Sequence, residues 1–152
     1  MTESKSSLVS YPIRGAYYRA PATAILNVLP AKAPLYLRYD PFGTVAGSAH
    51  TDPNAIAVYV KTESIPAKAH VALGAGAAGS GIELSWILAQ PEHHLGYVPK
   101  EKAAELKLRS GDVPAELRIL SSGDRGAVYH VCFDPGELGE LTVTKSELTK
   151  ES

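Results

Sequence analysis

The sharpest alternation in the chain is Ala55-Ile56-Ala57-Val58-Tyr59-Val60, with Ile56, Val58 and Val60 on one side and Ala57 and Tyr59 on the other. A period of two puts successive side chains on opposite faces of a pleated strand, so this segment predicts a β-strand with one face in the core. Leu35-Tyr36-Leu37-Arg38-Tyr39 predicts a second, because Leu and aromatics suit a half-buried pleated surface. Residues 8–18 are apolar and aromatic but contain Pro12 and Gly15, which predicts an edge or bent first strand. Residues 23–29, bracketed by Pro21 and Pro30, are short and aliphatic and fit strand and helix patterns equally.

Further on, His93-His94-Leu95-Gly96-Tyr97-Val98 predicts a short strand entering a helix at Pro99, since proline suits a first helical turn. Ala103, Ala104, Leu106 and Leu108 supply that helix with an apolar face, and Gly111 ends it. Residues 113–120 and 127–133 predict two strands joined by a hairpin-like turn over 121–126, with a last short strand at 141–143. Between these elements, residues 40–52 are rich in Gly, Ser, Pro and Asp and read as a loop. Residues 61–81 read as an excursion whose Gly/Ala run, 73–81, carries too little side chain to pack and predicts a flexible loop. Residues 82–88 then look strand-like. The expected organisation is one mainly β domain over 8–144 with one or two short helices, between polar tails at 1–7 and 145–152.

Composition narrows the function classes. A chain of 152 residues with 45% hydrophobic and 20% charged residues can bury a core without disulfides or metals. Cys132 is the sole cysteine and lies in the apolar run 128–133, where a buried, inert thiol is expected. The N-terminal residues do not read as a signal peptide, and no apolar run is long enough to span a bilayer. The expected setting is therefore cytoplasmic, or a particle assembled in a cytoplasm, with no membrane partner. A net charge of −1 leaves no overall basic footprint for phosphate.

No serine sits in G-x-S-x-G, and no H-E-x-x-H is present. The five histidines are His50, His70, His93, His94 and His130. The adjacent pair would point to opposite faces of a strand, so it could not chelate one metal in the usual way. Gly74-x-Gly76-x-x-Gly79 matches the bare dinucleotide pattern but is followed by a strand-like segment, and the run lacks the Gly-Lys-Ser/Thr of a P-loop. The acidic residues are scattered. The chain reads as a non-enzyme, with no cofactor and no metal.

Three segments in order are more distinctive: Gly15-Ala16-Tyr17-Tyr18-Arg19, then Asp52-Pro53-Asn54-Ala55-Ile56-Ala57-Val58-Tyr59, then the stretch from Leu95 to Leu106 that opens Leu95-Gly96-Tyr97-Val98-Pro99-Lys100. Together they resemble the HIRAN family, whose members are found with DNA-processing proteins. The resemblance implies an OB-like, HIRAN-type β-barrel and a pocket for single-stranded DNA or a 3′ DNA end. In that pocket Tyr17, Tyr18 and Tyr97 would stack on unpaired bases. Asp52 would accept a hydrogen bond from a terminal 3′ hydroxyl, with Asn54 beside it, and Arg19 and Lys100 would neutralise phosphate. Family members that bind DNA ends tend to carry two asparagines and an aromatic just before the aspartate; this chain has Ser48, Ala49 and Thr51 there, and Ala16 where an arginine often stands.

Each of these residues also has a structural role open to it. Asp52 and Asn54 are natural turn residues, Tyr97 can pack at the end of a barrel, and Arg19 and Lys100 can be solvated surface charges. A second function class follows: a structural or interaction protein, such as a bacteriophage particle component or an adaptor, that uses the same barrel to contact other protein subunits.

Overall fold

The computed structural model describes residues 8–14, 21–40, 54–106, 112–121 and 127–135. Six strands, β1 (Val9–Pro12), β2 (Pro34–Tyr39), β3 (Ile56–Lys61), β4 (Glu92–Tyr97), β5 (Asp112–Ser121) and β6 (Ala127–Phe133), form one antiparallel sheet in the order β1-β6-β5-β2-β3-β4. The helices are α1 (Ala22–Val28), α2 (His70–Ala78), α3 (Leu84–Ala89) and α4 (Lys100–Leu106). The expected mainly β architecture is thus present, with four short α-helices among the described residues where one or two were expected. The tails, the 41–53 loop, the 122–126 turn, Gly111 and the 141–143 segment lie outside the described residues.

Alternation decides which face of the sheet is covered. Leu35 and Leu37 of β2, Ile56, Val58 and Val60 of β3, Val113 and Leu117 of β5, and Val131 and Phe133 of β6 all turn to one side and are buried there. The helices close over that side. In α1 the buried positions are Ala22, Ile25 and Leu26, followed by Leu29 just beyond its end. That spacing of i, i+3, i+4 and i+7 is a helical stripe, and it resolves the segment that fitted two patterns. Cys132 is buried, as expected of a thiol in an apolar run.

Two elements differ from expectation. The Gly/Ala run forms α2, with Leu73 and Ala77 buried one turn apart. A Cβ on Gly74 would sit 3.5 Å from Leu84 Cβ and one on Gly76 3.5 Å from Ala24 Cβ, ordinary contact distances, so α2 lies close against α1 and α3. Alanine is the best helix former, and packing against α1 and α3 offsets the conformational freedom that the glycines lose. Residues 84–89 form α3 rather than a strand; Ile87 is buried while Trp86 is 51% exposed, so the apparent alternation does not track burial.

The sheet is not closed into a barrel. β1 pairs with β6 from Val9↔Phe133 to Pro12↔His130, and among the described residues it reaches the opposite edge at one pair, Arg14↔Tyr97. The residues that would continue antiparallel along β4 from that pair, 15–19, lie outside the described residues. No helix among the described residues is long and apolar enough to cross a membrane.

Candidate functional site

The described parts of the second and third motif segments come together at one end of the sheet, where Arg14 also pairs; the first segment, residues 15–19, lies outside the described residues. Arg14 and Tyr97 exchange backbone hydrogen bonds, Arg14 N to Tyr97 O at 2.8 Å and Tyr97 N to Arg14 O at 2.9 Å. Tyr97 is in turn the register partner of Ala57, and Val98 N donates to Ile56 O at 3.0 Å. Asp40 N donates to Ala55 O at 2.9 Å, which draws the end of β2 to the start of β3. The Tyr97 hydroxyl donates to Asp40 Oδ2 at 3.2 Å. Segments far apart in the chain thus share one junction.

Gly96 makes the junction possible. Its φ is 155°, a conformation that side-chain-bearing residues rarely adopt, and a Cβ there would lie 2.5 Å from Arg14 O and 2.7 Å from Ile13 Cγ2. The backbones approach more closely than any side chain permits. α4 begins at Lys100, with Lys102 N and Ala103 N both donating to Pro99 O at 2.9 Å. The helix reaches back toward β1, where Lys102 Nζ lies 5.6 Å from the centre of the Tyr11 ring.

The predicted site residues fare unevenly. Tyr97, Asn54 and Lys100 are all described: Asn54 is half-buried in the turn before β3, and Lys100 is exposed. Tyr97 is only 9% exposed, its ring in a T-shaped contact with His94 at a centroid distance of 4.8 Å. Its ring therefore offers little free face for a base. Tyr17, Tyr18, Arg19 and Asp52 lie outside the described residues, as do Ser48, Ala49 and Thr51.

A second constellation, not foreseen from the sequence, occupies the sheet face opposite the core. Tyr36 of β2 stacks on Tyr59 of β3 at 5.6 Å, and Tyr59 stacks on His94 of β4 at 4.9 Å. Arg38 lies over the Tyr59 ring at 4.6 Å. Its guanidinium also bonds Glu92 at 2.8 Å and Asp112 at 3.0 Å, and the Tyr36 hydroxyl donates to Glu92. The Arg38 guanidinium holds the Glu92 carboxyl below the usual carboxylate range. Hydrogen bonds to Asp112 and then Glu92 hold Arg38 more firmly protonated than usual. Burial first, then the adjoining Glu92, pushes the Tyr36 hydroxyl up, and burial does the same for Tyr59.

In this row the rings face one another and the cation faces two carboxylates, so the groups are largely committed to each other. No local signal announces it, because its ion pairs join residues 54 and 74 positions apart. His93 lies on the other side of β4, 6% exposed, with Nε2 2.8 Å from Ile87 O. The two adjacent histidines thus face opposite ways, as their positions on a strand require.

Beyond the row, at the far end of β3 and β4, an open cleft of about 830 Å³ is lined by Lys61, Glu63, His70, Gln90 and Glu92 among others. Among the described residues no three His, Cys, Asp or Glu side chains gather as a metal site would require. Compared with family models, curated proteins and solved structures, the chain matches none of them.

Proposed function

We propose that the chain is a non-catalytic module that binds single-stranded DNA or a 3′ DNA end at the junction of β1, β3 and β4, in the manner of the HIRAN family it resembles. The observation that supports this most is the meeting there of the second and third motif segments, through the Val98–Ile56 backbone bond and the Ala57–Tyr97 register, with Arg14, the residue just before the first segment, paired to Tyr97. Tyr97, bonded to Asp40, serves as the floor of the site. Base stacking falls to Tyr17 and Tyr18, phosphate contacts to Arg19 and Lys100, and the 3′ hydroxyl to Asp52, with Asn54 shaping the turn beside it.

Fluorescence anisotropy with a short single strand tests this, comparing a free 3′ hydroxyl with a 3′-phosphorylated end at low and moderate salt. The expected outcome is tighter binding of the free end, with the preference abolished by Asp52→Ala. Tyr17→Ala or Tyr18→Ala should weaken binding by about 1–3 kcal/mol wherever a base stacks on the ring. Equal binding of both ends, sensitive only to salt, would reduce the interaction to nonspecific electrostatics.

One observation favours the alternative of an assembly unit. Val71 of α2 is 84% exposed and Trp86 of α3 is 51% exposed, and no charged residue occurs from Val71 to Ile82. Exposed apolar side chains on helices suit contact with protein better than contact with phosphate. Absence of DNA binding at low salt, together with concentration-dependent association lost in Trp86→Glu, would favour that reading.

A further inference from the structure

Another group of side chains lies on β1, β6 and β5, on the face of the sheet away from the core. Val9, Tyr11 and Ile13 pack against the core, so Ser10 between them points to the opposite face. Ser10 stands opposite Cys132 of β6, and its Oγ lies 3.0 Å from His130 Nδ1. His130 in turn stands opposite the exposed Arg118 of β5, and Cys132 stands opposite Glu116. Three neighbouring strands thus bring a hydroxyl, an imidazole and a guanidinium onto one surface. Burial holds the imidazole below its usual value; Arg118 adds to this, against a backbone hydrogen bond to Ser10. The ring is therefore uncharged at neutral pH. The ladder leaves a donor beside the hydroxyl. Ile13 N–H donates to Tyr129 O, so by alternation the Ser10 N–H faces away from β6, at the outer edge of β1. An open pocket of about 300 Å³ begins at Cys132 and is lined by Leu8, Pro114 and Phe133 together with Glu116 and Asp134.

We propose that Ser10 is a site of covalent acylation by activated esters, with His130 as its base. A neutral ring that carries its hydrogen on Nε2 accepts from the Ser10 hydroxyl at Nδ1. Ser10 Oγ attacks the acyl carbon while Nδ1 takes the hydroxyl proton. The negative oxygen of the tetrahedral intermediate is met by the Ser10 N–H and by the charge of Arg118. Collapse of the intermediate breaks the bond to the leaving oxygen, which departs with the proton from His130, and the acyl group stays on Ser10 Oγ. The apolar side chains of the adjoining pocket suit a short acyl chain. One acyl group is taken per chain, so the module performs no turnover. This chemistry goes beyond the binding reading and stands whether or not a nucleic acid binds at the junction.

Incubation of the full chain with p-nitrophenyl butyrate tests this, with release of p-nitrophenol followed alongside the masses of the intact chain and its peptides. The expected result is one butyryl group per chain, carried on Ser10 and absent from Ser10→Ala. His130→Gln should slow the acylation at least about tenfold, since a positioned base contributes that much or more. The rate in the native chain should climb as His130 loses its proton, below about pH 6.5, and level off above it. Label on Cys132 or on lysines with Ser10 unmodified would overturn the proposal, and so would an unchanged rate in His130→Gln. A rate that follows hydroxide across the whole range would overturn it too, because the hydroxyl would then have no base of its own. The labelled residue and the pH profile are both read on the native chain, whatever a substitution does to folding.

Discussion

Where β1 meets β4 the contacts are made by backbone and depend on a residue with no side chain, whereas the row beside it on β2, β3 and β4 is made almost wholly of side chains. At the junction, Gly96 lets Arg14 and Tyr97 pair at 2.8 and 2.9 Å. In the row, Arg38 joins two carboxylates and lies over a tyrosine. The row is internally satisfied: each charge has its opposite and each ring has a neighbour. The junction is where strands end and loops begin, the position from which binding residues are usually presented by a rigid scaffold. A richer set of interactions therefore does not mark the better candidate for a ligand.

That contrast can be broken by mutation. The largest effect is expected from Gly96→Ala, where a new Cβ would meet a backbone oxygen and a φ of 155° would have to be kept. We expect a loss of about 3 kcal/mol or more in urea unfolding, and near-normal stability in that variant would contradict the close approach. Arg38→Ala should follow with about 1–2 kcal/mol, since its pairs are partly open to water and screened, while its place over the Tyr59 ring adds packing. Arg14→Ala should change stability by less than about 0.5 kcal/mol, because the junction uses only its backbone. A double-mutant cycle between Arg38 and Asp112 should show coupling, and one between Arg38 and Arg14 should show none.

Acid sharpens the comparison further. Glu92 has a folded-state pKa held down chiefly by Arg38, so the unfolded chain takes up its proton first. The stability it contributes is complete above the ordinary Glu value of about 4.3 and is lost as pH falls through the lower folded value. Glu92→Gln should flatten that part of the stability profile, measured by urea midpoints across acidic pH. The smallest effect belongs to His130, whose imidazole is held below its usual value chiefly by burial. Its contribution is complete above about 6.5 and declines as pH falls through the folded value, a slope that His130→Gln should remove.

Much of the sheet was legible in the sequence because alternation is a local signal. The β2, β3 and β4 segments and the β5–β6 pair fall where the pattern places them. The helices over the core were harder. α1 needed its i, i+3, i+4, i+7 stripe to be weighed above its length, and α2 is a helix through packing that a Gly/Ala run does not advertise. Among the described residues the sheet is open, and the stretch that would continue along β4, residues 15–19, lies outside them. The candidate site shows the same division. Tyr97 lies in a contiguous motif and was visible, but Asp40 and Arg14, which fix it, are linked to it only in three dimensions. The Arg38 row has no signature in the sequence, because nothing near Arg38 predicts Glu92 or Asp112 as partners.

The central claim is that a nucleic acid engages the junction and not the aromatic row. Titration of an isotope-labelled chain with a short single strand bearing a free 3′ hydroxyl, read by amide chemical shifts, tests it most directly. The account predicts shifts concentrated at Asn54, Tyr97 and Lys100, with Tyr36, Arg38 and Glu92 unmoved. Shifts centred on the row, or no shifts at low salt, would contradict it.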